Sequence, residues 1–263
     1  MARGLWSGTL SFGLVTVPVR LVSAVRDRDV HFHEVDRRTG ERIEIRRTCE
    51  RNGRAVAWEQ VGHGYELDGR RVVLSDAELA AAAPQATGTI EIEEFVGLDA
   101  IDPAHFDHPY LLLANSRSDG VLRAYRLLRD AIAASEQVAI GRVVLRSKEY
   151  LVAVRERDGL LALTTMLFAD AIRDVGELDD IPSGRAHAPR RGEVDEAVRV
   201  IRAMTRDFDP RRYEDDHRSR LLAIIARKRR SAEIEIPEPA PDPQPVPDLL
   251  AALRESLERI RGG

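Results

Sequence analysis

Arginine side chains supply the chemistry that stands out in this chain. Arg42, Glu44 and Arg46 alternate with Ile43 and Ile45, the two-residue period of a strand with one wet face, and Arg47 stands at its end. Arg37 and Arg38 enter the turn before it, and Arg54 follows the turn after it. Arg142 and Arg146 lie four apart in a second apolar-rich run, which places them on one face of a strand, with Lys148 just beyond. Guanidinium groups offer planar forks of N–H donors that match phosphate oxygens. Cations spaced along hairpins can therefore follow a phosphate backbone without reading bases. Few aromatic residues accompany them. Trp6, Phe12 and Trp58 fit core positions, so contact with a duplex backbone is expected rather than stacking on single strands. For any one arginine the alternative is a solvated charged face.

Other candidate chemistry is thinner. His31 and His33 project to one face of an expected strand, but no third ligand stands at a diagnostic spacing. The expectation is one packed and one exposed histidine and no metal. Glu91, Glu93 and Glu94, and later Asp179 and Asp180, raise the question of paired acid–base groups, but Glu91 and Glu93 alternate with Ile90 and Ile92 as the wet face of a strand does. Cys49, the single cysteine, has no neighbouring histidine motif and reads as a buried filler; one cysteine fits a reducing cytoplasm. There is no phosphate-binding glycine loop, Gly-x-Ser-x-Gly elbow or His-Glu-x-x-His. The residues assemble no active site and imply no cofactor. A protein-interaction scaffold with incidental DNA contact is the rival; a hydrolase built on His31 and His33 is weaker still.

The elements that must position these groups follow from periodicity. The 263 residues are 43% hydrophobic, enough for a buried core, and no apolar run reaches the roughly 18 residues of a membrane helix. The N-terminal stretch lacks the features of a signal peptide, so a soluble cytoplasmic protein is expected, associated with the nucleoid if it holds DNA. Net charge is −4, but it is segregated: residues 1–60 hold 11 basic against 8 acidic side chains, and residues 61–110 hold 2 against 10. A basic inner surface with an acidic exterior satisfies that pattern. Lys148 and Lys228 are the only lysines among 40 basic residues, a bias that genome composition alone can produce.

From Leu5 to Phe168 short strands alternate with turns. Trp6, Leu10, Phe12 and Leu14 share one parity; after Gly13 it flips to Val15, Val17, Val19 and Leu21, which predicts a β-bulge. Pro18 must sit at an edge or beside a break in pairing. Further strands are expected at Val30–Val35, Arg42–Arg47, Ala55–Val61, Arg71–Leu74, Thr89–Phe95, Tyr110–Leu113, Val138–Leu145, Leu151–Val154 and Leu160–Leu167. Asn52-Gly53, Asp68-Gly69 and Asp158-Gly159 mark turns between them, the first two as hairpins. This is a mainly β barrel or sandwich with α elements. Ser75 and Glu78 form a capping box opening a short helix, and residues 119–134 carry Leu122, Tyr125, Leu128 and Ile132 on one helical face. From Glu193 the pattern turns helical, with Val194, Ala197, Val198, Ile201, Met204 and Phe208 on one face, then a second helix over residues 214–230. Prolines at every second position from Pro237 to Pro247 make a stiff acidic linker. Leu249, Leu250, Leu253, Leu257 and Ile260 then form one side of a short amphipathic segment. It either enters another protein's groove or folds back on its own barrel.

Several segments together resemble bacterial Ku. They are residues 6–15, from Trp6-Ser7-Gly8 to Leu14-Val15, with Pro18-Val19-Arg20-Leu21; Arg47-Thr48-Cys49-Glu50 through Gly64-Tyr65-Glu66; Ile101-Asp102-Pro103 to Tyr110; Ala139-Ile140-Gly141-Arg142 to Arg146; and Asp158-Gly159-Leu160 with Ala169-Asp170. The resemblance covers about residues 2–230. It implies a homodimeric ring that threads onto double-stranded DNA ends and begins non-homologous end joining without catalysis. On that likeness residues 1–192 form a Ku-type β-barrel core, with projecting β-bridge hairpins at about 29–74. Residues 193–230 form a helical dimerisation arm, 231–248 the linker, and 249–263 the segment that recruits ATP-dependent DNA ligase D. Arg37, Arg38, Arg42, Arg46, Arg47, Arg54, Arg142, Arg146 and Lys148 are the expected DNA contacts. Many members of the family carry a long Lys-rich extension; here the acidic linker precedes the last helix.

Overall fold

Alternating apolar side chains close into a barrel. The computed structural model describes residues 4–85, 87–179, 181, 188–230, 255 and 258. Strands β1 (Trp6–Phe12), β2 (Val15–Ser23), β5 (Thr89–Gly97), β6 (Phe106–Ala114), β7 (Gln137–Leu145), β8 (Lys148–Arg157) and β9 (Leu160–Met166) pair in the order β1-β2-β6-β9-β8-β7-β5. The seam closes where β5 pairs parallel with β1, Leu10 opposite Ile90. A separate hairpin, β3 (His63–Leu67) and β4 (Arg70–Leu74), stands outside the barrel. Leu10, Val17, Val19, Ile90, Leu112, Val152, Leu161 and Leu163 are fully buried at its centre, as inward-facing positions of a small barrel must be. A second cluster, Ile101, Val138, Ile140, Ala153 and Met166, covers β7, β8 and β9 on the outside.

The parity flip at Gly13 is a hairpin, not a bulge. Phe12 pairs with Val15 across the two-residue turn, and Gly13 takes φ +57°. Reversal of the chain and insertion of a residue shift the apolar parity alike. The bulges lie elsewhere, between Ile92 and Glu94 on β5 and between Phe106 and Pro109 on β6. Pro18 behaves as its missing N–H requires: pairing of β2 with β6 begins one residue later, at Val19. Asp68-Gly69 and Asp158-Gly159 form tight turns with both residues at positive φ. Gly141 is required by space, because a Cβ there would collide with the Glu91 carbonyl of β5.

The helix α1 (Asp76–Ala82) opens on the expected capping box: the Ser75 N–H and hydroxyl both donate to the Glu78 carboxylate, at 2.8 and 2.7 Å. These bonds hold the Glu78 carboxyl below its usual range. The helix α2 (Asp119–Ser135) packs Tyr125, Leu128 and Ile132 against β2, β6, β7 and β8, strands from different sides of the barrel, and so plugs it. Tyr125 is the polar pin of that plug. Its hydroxyl donates to the Leu112 carbonyl of β6 (2.7 Å) and accepts from the Leu161 N–H of β9 (2.9 Å). Burial raises the Tyr125 pKa above 10.0.

Residues 4–27 and 33–175 make one compact unit; residues 28–32 and the chain from Gly176 make the other. The second unit contains α3 (Arg191–Met204) and α4 (Asp216–Arg229). Within it Arg218 donates to the Arg28 carbonyl at 2.7 Å. Val200 of α3 is buried, whereas on the expected apolar face Ile201 is 63% and Met204 61% exposed. No helix among the described residues is long and apolar enough to cross a membrane.

Candidate nucleic-acid interface

The expected strands at 30–35, 42–47 and 55–61 do not form. Residues 33–58 instead make two narrow arches, each closed by a single isolated bridge, Val35 with Arg42 and Thr48 with Ala55. Among the described residues the alternation of Ile43 and Ile45 has no partner strand or core to meet; Ile45 is 80% exposed. A pattern specifies a strand only where a neighbour takes up its hydrogen bonds.

Local bonds fix each arch. In the first, the Asp36 N–H donates to the Glu41 carbonyl (2.8 Å), the Gly40 N–H to the Asp36 carbonyl (2.7 Å), and the Arg38 N–H to Asp36 Oδ1 (2.8 Å). Arg37 and Arg38 thereby stand at the tip. Arg42 Nη2 lies 2.6 Å from His33 Nδ1. In the second arch, the Cys49 N–H donates to the Arg54 carbonyl (2.8 Å) and the Val56 N–H to the Arg47 carbonyl (2.9 Å). The Arg54 N–H donates to Asn52 Oδ1 (3.1 Å), and Gly53 sits at φ +66°, so Asn52-Gly53 does turn the chain.

Charge is unevenly available along these arches. Arg46 is paired with Glu44 at 3.0 Å, whereas Arg37, Arg38 and Arg54 take part in no ion pair among the described residues. Arg47 lies over the Trp58 ring, 4.5 Å from its centroid. Trp58 is 68% exposed and Phe12, edge-on to Phe95, is also at the surface, so neither is the core residue expected; Trp6 does pack against the core. Cys49 is exposed rather than a buried filler. His31 and His33 are both exposed, not one of each. Among the described residues no group of three or more His, Cys, Asp or Glu is placed to hold a metal.

Arg142, Arg146 and Lys148 do not share one strand face. β7 ends at Leu145, and Arg146 and Ser147 form the turn to β8, both at positive φ. Arg142 is held between Glu93 (3.0 Å) and Glu149 (3.2 Å). The bulge on β5 explains that clasp, since Glu93 is the residue left out of register. Arg146 instead lines a pocket of about 130 Å³ with Leu5, Trp6, Leu21, Tyr110, Leu145 and Tyr150. Burial pushes the Tyr110 pKa up, Tyr150 and Asp107 add to that, and the Arg146 charge opposes it. Lys148 lies over the Tyr150 ring at 5.1 Å. Periodicity gives no sign of these aromatic partners.

Leu249, Leu250, Leu253, Leu257 and Ile260 lie outside the described residues, as does the proline-rich linker. The barrel decides the comparison with known proteins. The Ku70/Ku80 beta-barrel domain family matches residues 11–196. This chain belongs to the Ku family. A Non-homologous end joining protein Ku 1 of Saccharopolyspora erythraea is 40% identical over 263 residues, covering 100% of this chain and 80% of its own length. A Non-homologous end joining protein Ku of Anaeromyxobacter is 40% identical over 99% of this chain and 87% of its own. That of Opitutus terrae is 37% identical over 99% and 93%. The seven-stranded barrel with its inserted helices is the Ku barrel, a mainly β fold with α, as the resemblance implied.

Proposed function

We propose that this chain binds double-stranded DNA ends, without sequence preference and without catalysis, in non-homologous end-joining repair. The observation that carries the reading is a Ku barrel from which residues 37–54 extend seven arginines against three glutamates, almost wholly outside the core. Phosphate contact needs cations that are accessible and not already neutralised, and Arg37, Arg38, Arg47 and Arg54 meet that condition. Arg42, Arg46, Arg146 and Lys148 belong to the same wall; Arg142 contributes least, being clasped by two carboxylates.

In this reading two copies close a ring around the duplex, with residues 29–74 as the bridge and 193–230 as the arm that meets the second copy. The open apolar side chains of the arm support it: Val194, Ile201, Met204, Phe208 and Tyr213 are all exposed, more apolar surface than a solitary helix pair leaves in water. A twofold ring doubles the arginine wall, so a chain of net charge −4 still presents a cationic lining. Residues 249–263 recruit ATP-dependent DNA ligase D through their apolar side, carried on the stiff linker 231–248. The work belongs beside the chromosome, in the cytoplasm.

A gel-shift comparison of linear and covalently closed duplex tests this. Preference for linear DNA, with affinity falling steeply as salt rises, is expected. Equal affinity for both forms overturns end binding, and a flat salt response favours the scaffold reading. Removing residues 248–263 should spare DNA binding and abolish ligase stimulation; undiminished stimulation rejects the role given to that segment.

A further inference from the structure

Arg47 and Trp58 come from opposite limbs of the second arch. The Val56-to-Arg47 and Cys49-to-Arg54 backbone bonds keep those limbs in register. Trp58 begins a 3-10 turn, Trp58–Gln60, fixed by the Gln60 N–H on the Ala57 carbonyl (3.0 Å) and the Val61 N–H on the Trp58 carbonyl (3.1 Å). The indole is therefore held by backbone bonds rather than by burial. It offers a flat, electron-rich face, on which the Arg47 guanidinium rests.

The contrast with the preceding residue is informative. Arg46 gives Nε and Nη2 to Glu44, the in-plane donors that a phosphate would need. The Arg47 guanidinium carbon lies 4.5 Å from the Trp58 centroid, and its N–H groups make no hydrogen bond or ion pair among the described residues, so its fork is free. A carboxylate partner competes with phosphate for the same donors; an aromatic partner does not. Stacking also restricts a rotamer-rich side chain before the ligand arrives, which lowers the ordering cost on binding.

We infer that Trp58 is a positioning residue for DNA: it holds the Arg47 guanidinium against its ring so that the free N–H edge receives a backbone phosphate. This rests on the end-binding reading above. Fluorescence anisotropy of a labelled blunt duplex, titrated across a range of salt with the full-length chain, tests it. Trp58→Leu should weaken binding about two- to five-fold, and Trp58→Phe should recover most of that loss. Arg47→Ala should lower the slope of log K against log salt by about 0.9 per bound copy. The double variant Arg47→Ala with Trp58→Leu should bind no worse than Arg47→Ala alone. Wild-type affinity in Trp58→Leu, or losses that multiply in the double variant, overturns the inference while leaving end binding intact. If the wild-type chain ignores linear duplex, end binding and this inference fall together. The stack itself is tested without DNA by fluorine NMR of protein carrying fluorinated tryptophan. The chain has two tryptophans, and the Trp58 signal, identified by its loss in Trp58→Phe, should move in Arg47→Ala; an unmoved signal overturns the stack.

Discussion

Replacing Tyr125 by Phe removes one oxygen atom from the barrel plug and keeps the ring, so the change leaves no cavity of ring size. What it removes is a link between two strands. The Leu112 carbonyl and the Leu161 N–H, both held by the hydroxyl at 2.7 and 2.9 Å, lose their partner in a buried setting. An unsatisfied buried polar group costs about 1–3 kcal/mol, so the two together should cost about 2–6 kcal/mol. For a unit of this size that is a fall in melting temperature of roughly 4–24 °C. Urea unfolding followed by circular dichroism should show a lower midpoint at unchanged slope. Leu112 and Leu161 are already register partners, so a loss below about 0.5 kcal/mol would mean that they bond directly once the oxygen is gone, and the pin argument fails. The same variant has a signature in pH. Burial raises the pKa of Tyr125 above 10.0, and that of Tyr110 likewise. The folded state therefore holds these protons more tightly than the unfolded one. Their contribution is full below pH 10 and declines as pH rises from there toward the folded pKa. Tyr125→Phe should make that alkaline decline shallower, and an unchanged slope would remove Tyr125 as its source.

Arg142→Ala should change affinity for linear duplex by less than about two-fold, because Glu93 and Glu149 already neutralise it, whereas Arg146→Ala should cost more and reduce the salt dependence. Equal losses in an anisotropy titration would show that the clasp opens on DNA. Gly141→Ala should cost about 1–3 kcal/mol in thermal melts by forcing β5 and β7 apart beside the bulge, and an unaltered melt would show that the strands have slack. Ile201→Asp with Met204→Asp should convert a dimer to a monomer in sedimentation equilibrium; an intact dimer would place the second copy elsewhere.

The barrel was readable because each strand meets a neighbour that enforces the period the sequence displays, as with Ile90 and Ile92 against Glu91. The turns at Asp68-Gly69 and Asp158-Gly159 and the Ser75 capping box were readable because their geometry is local. Gly13 misled because a hairpin and a bulge produce the same shift of parity. The arches misled for the opposite reason: Ile43 and Ile45 alternate as a strand does, yet beyond one Ile43-to-Glu34 backbone bond no strand pairs with them among the described residues. The clasp on Arg142 was hidden because Glu93 reaches it through a bulge, a feature of two strands together. The open face of α3 shows the remaining limit. Ile201 and Met204 were rightly grouped, but periodicity does not say whether an apolar face meets its own chain or another.

Strand β1 is flanked by β2 on one side and β5 on the other, so residues 24–88 depart from and return to the two immediate neighbours of a single strand. Lengthening such an excursion is cheap, about 0.6 kcal/mol for each doubling, and the seam stays shut whatever it becomes. The arches of residues 33–58 can accordingly change length while the barrel keeps its own register.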